Sequence, residues 1–405
     1  MKFFLEFLSR VRFFIVLALI LLPAPLFGGG HTAVIFGMRG LVLFGFLLVF
    51  LPFLLGQPAP SLDFKVIRAP LAIFSIFLLY LFVQIRFGAA LFNAAVPGTI
   101  QVHDTTEQVF QLVFYLLFFL LCLEALSSRK RIRFLTFLMA FEVVFLVGLG
   151  YYQKMNGINS IYGFYNPLDT QDIFSSFVVS NHYGMFLFLA GFFFLGALAY
   201  CYDTAGRKLR SDLFILENIF YFSLLAVMMA SSFYAEARAA FLSQILMTVF
   251  FFLAVLSGKK KIRGLLMFFG LAAFGLFFVK LAYPKVITQT YYELPAQLLN
   301  RALPYREAYK VLSDFPIFGT GLGAYKWLSK SYQFSFLTEY FWMDHASNDH
   351  LELLVETGFP GYTLFMLSFV SLIIPAFGSC LKSPSHWCRI NGLAAFSAVL
   401  AIGAL

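Results

Sequence analysis

Charge is scarce in this chain. Asp, Glu, Lys and Arg together make up 12% of its 405 residues, and hydrophobic types 61%. A soluble domain is about 25% charged and roughly 45–50% apolar. The deficit excludes a soluble globular enzyme, because a surface this apolar cannot be hidden in one core. Cysteine is sparse as well. Cys122, Cys201, Cys380 and Cys388 form neither a Cys-x-x-Cys pair nor a Cys/His set with metal spacing, which excludes a zinc scaffold. A cleavage site of small residues is missing after the N-terminal stretch Met1–Glu6, so that end reads as a retained membrane helix and not as a removed leader. No internal repeat and no stretch of soluble-domain composition stands out.

What is present is a succession of apolar segments, with 56 phenylalanines suited to lipid-facing helices. A bilayer is crossed by about 20 apolar residues in a helix. Candidate spans are 12–28, 35–56, 68–86, 107–126, 134–152, 182–201, 217–235, 239–257, 264–281, 359–379 and 390–405. The expected fold is therefore an all-α polytopic membrane protein with about eleven transmembrane helices. The last segment stops as if inside a helix, so a longer natural chain with twelve is expected. The organisation expected is nine spans over 1–281, a polar loop over 282–358 and the last two spans over 359–405.

The net charge of +9 would point to nucleic acid in a soluble protein. Here the basic residues sit in short loops, where they set orientation. With Lys2, Arg10 and Arg12 in the cytoplasm, the clusters at Arg129–Arg133, Arg207–Arg210 and Lys259–Arg263 are cytoplasmic too, as are Lys65, Arg68, Lys382 and Arg389. The opposite orientation would put Arg-Lys-Arg and Lys-Lys-Lys outside. Loops 87–106, 153–181 and the long 282–358 therefore face outward, and no nucleic-acid partner is expected.

The polar residues concentrate in the outer stretch 300–361. After Arg301 and around Arg306, the residues Tyr305, Tyr309 and Leu312 recur at helical spacing, which predicts a short amphipathic helix on the membrane surface. Both arginines are either solvated charges or a grip on diphosphate, which a guanidinium binds in bidentate fashion. Lys285, Lys310, Lys326 and Lys330 in the same loop invite an anionic ligand. The run Gly319-Thr-Gly-Leu-Gly323 lacks the following Lys-Ser/Thr of a nucleotide P-loop, and a sharp turn that packs the loop is the better reading. Asp349, Glu352 and Glu356 fall on one helix face, with Ser347 and Asn348 as N-cap types. His345 and His350 lack zinc-protease spacing, so a proton acceptor for a sugar hydroxyl fits better than a metal ligand. Arg238, at an outer span junction, either pairs with Glu236 or the interface, or holds an anion. Asn181 and His182 open another span on the same side, as interface anchors or as site residues.

Together these stretches resemble the O-antigen ligase/polymerase superfamily of bacterial inner-membrane glycosyltransferases. Glu236-Ala-Arg238-Ala resembles its Ser-Arg-Gly-Ala element. Arg301-x3-Tyr305-Arg306, with Asp314-x-Pro316-x-x-Gly319-x-Gly321-x-Gly323, resembles its Arg-x3-Trp…Asp-x-Pro-Leu-x-Gly-x-Gly segment. His345-Ala-Ser-Asn-Asp-His350-Leu, running to Gly358-x-x-Gly361, resembles its His-Ala-His-Asn-Asp-Tyr-Leu…Gly-x-x-Gly signature. Ser180-Asn181-His182-Tyr183 resembles an Asn-His-Phe element. The signature His that directly precedes Asn is Ser347 here, the aligned Tyr is His350 and the aligned Trp is Tyr305.

The resemblance implies an all-helical fold of the C-type glycosyltransferase kind. It implies metal-independent glycan transfer on the periplasmic face, without cofactor. The donor would be an undecaprenyl-diphosphate-linked glycan, and the acceptor a hydroxyl of lipid A-core sugar, of a second glycan or of a protein. Arg238 and Arg301 would hold the diphosphate and meet the charge developing on it. His345 would act as base, with Arg306, Asp349, His350, Glu352, Asn181 and His182 binding substrate. A transporter of lipid-linked oligosaccharide and a non-catalytic assembly factor are the alternatives. Charge gathered in one outer loop, instead of spread through the spans, favours catalysis.

Overall fold

The computed structural model describes residues 2–55, 64–88, 96–166, 173–205, 212–255, 270, 273, 304–332, 345–346 and 348–403. Their regular elements are helices, and short β-bridges join Ile161 to Tyr165 and Phe174 to Phe177. Seven of the helices are long and apolar enough to cross a membrane. The expected span 264–281 lies outside the described residues, apart from two isolated positions, and so does Arg301.

The chain divides into two compact units. The first comprises Met1–Pro60, Phe119–Ile287 and Phe377–Leu405. It holds α1 (Lys2–Leu21), α2 (Thr32–Leu54), α5 (Arg129–Asn156), α6 (Ser180–Ala205), α7 (Asp212–Tyr234) and α8 (Arg238–Val255), with a C-terminal helix His386–Gly403. Helix α6 is its axis, packed on α7, on α8 and on the C-terminal helix through Phe188, Leu195, Met247, Phe251, Ile390 and Ala394. Between helices in lipid, packing and close approach replace the hydrophobic drive, so small residues mark the contacts. Gly184 of α6 lies so near α8 that an added Cβ would stand 2.5 Å from the Ala237 methyl and 2.6 Å from that of Ala240. This unit also buries an ion pair: Arg12 donates from Nε and Nη2 to the two oxygens of Glu124 at 2.9 and 2.7 Å, and from Nη1 to Leu48 O at 2.9 Å.

The second unit comprises Ser61–Phe118 and Thr288–Ala376. It contains α3 (Phe64–Phe87), the start of α4 (Val102–Ala125), α9 (304–314), α10 (Tyr325–Tyr332) and most of α11 (Asp349–Lys382). Helix α11 is broken at Gly358, whose φ of 66° and ψ of −179° lie in a region open essentially to glycine. A Cβ there would meet Ile317 O at 2.0 Å. The break frees carbonyls at the end of the first helical piece, and the 319–323 turn takes them: Thr320 N–H donates to Val355 O at 3.1 Å and Gly321 N–H to Glu356 O at 2.8 Å. From α3, Tyr80 OH donates to Thr357 O and Phe318 O, and Gln84 Nε2 to Phe318 O, at 2.6–3.1 Å. Gly321, at φ 101°, presses on Thr99, where a Cβ would overlap Oγ1. The glycine run is thus a packing turn.

Helix α9 departs from the expected surface helix. Tyr309 is 62% exposed, while Ala308, Val311 and Leu312 are buried against Tyr325, Ala346 and Val355. Its apolar face is covered by protein of the same unit, because the buried stripe runs through small Ala308 and not through the tyrosine.

Candidate functional site

The site is built where α11 begins. Asn348 caps the helix: its Oδ1 accepts from Leu351 N–H at 2.9 Å and its carbonyl from Glu352 N–H at 2.9 Å. A capped start fixes the direction of the first turns, and on them Asp349, Glu352, Leu353 and Glu356 line a cavity of about 680 Å³. Its other walls come from the same unit. Phe77, Leu112, Leu322 and Phe365 are apolar, and Gln108, Gly323, Lys326, His345 and His350 are polar or backbone. The cavity thus offers apolar surface together with charged and hydrogen-bonding groups.

Glu352 organises the segment before the helix. Its Oε1 lies 2.9 Å from His345 Nδ1, and its Oε2 accepts from Ala346 N–H at 2.9 Å. The side chain of His345 is 78% exposed and that of Glu352 18%. Four residues on, the buried carboxylate of Glu356 accepts from Tyr325 N–H at 3.0 Å, tying α10 to α11. The Tyr325 ring is fully buried, and its hydroxyl has no hydrogen-bond partner among the described residues. Desolvation, then the nearby charges of Glu307, Glu352 and Glu356, push that phenol up. On the rim, Asp104 of α4 accepts from Trp327 Nε1–H and pairs with Lys326 Nζ at 3.1 Å. His350 lies 3.4 Å from Tyr362 OH, with the two rings edge to face.

The residues expected to act together are distributed as follows. His345, Asp349, His350 and Glu352 meet in one cavity. Arg306 is exposed on α9 of the same unit. Arg301 and Ser347 lie outside the described residues. Arg238, Asn181 and His182 belong to the first unit. There Arg238 opens α8, half-buried, after Glu236 in a left-handed turn at φ 61°. Asn181 and His182 are exposed in the first turn of α6. Gly184 sets those two helix starts against each other, so Asn181, His182 and Arg238 share one end of the unit. Glu236 is 3.5 Å from Lys154 Nζ. Among the described residues, no group of three His, Cys, Asp or Glu is placed to hold a metal.

Sequence reasoning missed Gln108, Asp104 and Trp327. The one signal was an acidic residue, Asp104, in the first turn of an apolar helix, and its partner Trp327 is 223 positions away.

No curated protein and no solved structure matches this chain. Residues 222–366 match the family model described as O-antigen ligase. The matched segment includes Arg238, Arg306, Lys326, His345, Asp349, His350, Glu352 and Glu356, all but Arg238 and Arg306 being cavity-lining residues. Across residues 222–366 the chain is similar to the O-antigen ligases, and this supports its placement in the O-antigen ligase/polymerase superfamily.

Proposed function

We propose that this protein transfers a glycan from an undecaprenyl-diphosphate carrier to a hydroxyl acceptor on the periplasmic face of the bacterial inner membrane. The observation that carries the reading is the cavity. From the family-matched segment, a histidine–carboxylate pair, two further carboxylates, a second histidine and a lysine share it with apolar side chains. A lipid-borne sugar diphosphate offers an apolar part and a charged part, and the cavity has a surface for each.

In this reading the acceptor oxygen attacks the anomeric carbon while the bond from that carbon to the diphosphate oxygen breaks. The electron pair leaves with the diphosphate. The acceptor proton passes to His345, since imidazole titrates near neutral pH. Charge on the leaving group is met by Arg238 and Arg301, which serve where another enzyme would use a metal ion; their assignment rests on the sequence match. Arg306, Asp349, His350, Asn181 and His182 bind the sugars and the carrier. Eleven or twelve spans, a cytoplasmic N-terminus and the catalytic loop 282–358 complete the proposal, with the C-type glycosyltransferase architecture. The acceptor is a lipid A-core sugar, a second glycan or a protein.

The test is reconstitution of the full chain in lipid with a labelled undecaprenyl-diphosphate glycan and candidate acceptors. Wild type should form a new glycosidic bond, and His345→Ala should lower the rate by about 10²–10⁴-fold, the usual contribution of a positioned base. A wild type that moves labelled lipid across the bilayer without forming that bond is a transporter. One that does neither is an assembly factor. Either outcome sinks the proposal.

A further inference from the structure

We propose that Glu352 is a positioning residue that sets the tautomer of His345 and so makes its second ring nitrogen the basic one. The inference rests on the function proposed above for its rate readout, and on geometry alone for its spectroscopic one. A carboxylate can only accept hydrogen bonds. The 2.9 Å contact between His345 Nδ1 and Glu352 Oε1 therefore places the ring proton on Nδ1 and the lone pair on Nε2. The same carboxylate is itself immobilised. Its second oxygen accepts from Ala346 N–H, and it stands one turn into a helix whose start is capped by Asn348. The ring is thus held from a fixed helix, although it belongs to the turn before it.

The arrangement is a directed pair and not a casual surface contact. Glu352 is largely buried while His345 is largely exposed, so the buried partner is the one that determines geometry. Both line the cavity, with Asp349, His350, Glu356 and Lys326 as the other charged or titratable groups facing it; Tyr325 lies behind Glu352 and feels its charge. A neighbouring carboxylate favours the imidazolium. It therefore makes Nε2 a stronger proton acceptor at the moment the acceptor hydroxyl is deprotonated, and it steadies the charge that results.

Glu352→Gln separates this role from a structural one. The glutamine oxygen still accepts from Ala346 N–H, so the turn is kept. Its amide nitrogen now donates to Nδ1, and the ring proton moves to Nε2. In reconstituted full-length protein we expect transfer to fall about 10²–10⁴-fold, in the range of other misplaced-tautomer substitutions. The loss should sit in kcat with little change in KM. The acid limb of the pH profile should move to lower pH, because the charge that favours the imidazolium is gone. His345→Gln with Glu352→Gln should be no slower than His345→Gln alone, since the two residues act as one unit.

A Glu352→Gln enzyme with unchanged rate and acid limb would falsify the assignment, and so would additive losses in the double variant. A second readout does not need turnover. In ¹⁵N-histidine-labelled protein, which has six histidines, the His345 signals identified by His345→Gln should report an Nδ1–H ring in wild type and an Nε2–H ring in Glu352→Gln. If wild type transfers no glycan but the tautomer switches, the function proposed above is wrong and the pair stands. If glycan is transferred and the tautomer does not switch, the pair is wrong and the function stands.

Discussion

Each unit of this protein holds a glutamate against a basic side chain, and the two pairs are built oppositely. In the first unit Arg12 and Glu124 are both largely buried, at 7% and 14% exposure, and the guanidinium engages both carboxylate oxygens and a backbone carbonyl. In the second, Glu352 spends one oxygen on its own backbone turn and the other on an exposed imidazole at a cavity. A closed pair of this kind can only hold helices together. One that ends in a titratable ring facing open volume can exchange a proton. The difference separates a residue needed for folding from one needed for chemistry, although both are glutamates that accept two hydrogen bonds.

The comparison is tested hardest by removing one partner from the closed pair. Arg12→Ala leaves Glu124 as a buried charge without its partner, and breaking such a pair costs about 3–5 kcal/mol. The melting temperature in lipid should drop steeply, while transfer per folded molecule stays at the wild-type level. A variant that melts normally but transfers slowly would erase the distinction between the two units. A smaller effect is expected at the break that shapes the second pair's helix. Gly358→Ala forces a Cβ against Ile317 O and holds alanine in a glycine-only region, at about 1–3 kcal/mol of backbone strain. Because the 319–323 turn hydrogen-bonds to the carbonyls freed there, this variant should lose both stability and transfer. A melting temperature within a degree of wild type would show that α11 tolerates the break without glycine.

Much of the fold was legible in the sequence, because a membrane span is a local property of about 20 residues. Seven of the candidate spans, 35–56, 68–86, 107–126, 134–152, 182–201, 217–235 and 359–379, fall on described helices long and apolar enough to cross a membrane, whereas 12–28 runs past the end of α1 at Leu21. The glycine run was legible too, since without a following Lys-Ser/Thr it fits a packing turn better than a phosphate loop. What the sequence left unread was long-range pairing. Arg12 was read for orientation alone, and its pairing with Glu124, 112 positions on, was not visible, because nothing local distinguishes a loop arginine from one that will be buried. Trp327 and Asp104 find each other across 223 positions. On α9 the spacing of Tyr305, Tyr309 and Leu312 drew attention to the large side chains, whereas the contact is made by Ala308, Val311 and Leu312. The candidate site was half legible: its acidic helix face could be read from periodicity, but the apolar wall from α3 and α4 could not.

The smallest effect should come from a pair that lies between the two extremes. Tyr332 OH donates to Asp314 at 2.6 Å on the surface of the second unit. Burial, then the hydrogen bond and charge of Asp314, push the phenol up from its ordinary 10 to about 12. A group whose pKa is raised on folding adds stability that is complete below its unfolded pKa and fades as pH rises through the folded one. The bond should therefore be indifferent to pH near neutrality, and weaken only between about pH 10 and 12. Tyr332→Phe should lower the melting temperature slightly and by the same amount at pH 6 and pH 8, with the difference from wild type closing above pH 10. A difference that grows between pH 6 and pH 8 would mean that the phenol is not the group that sets the strength of this bond.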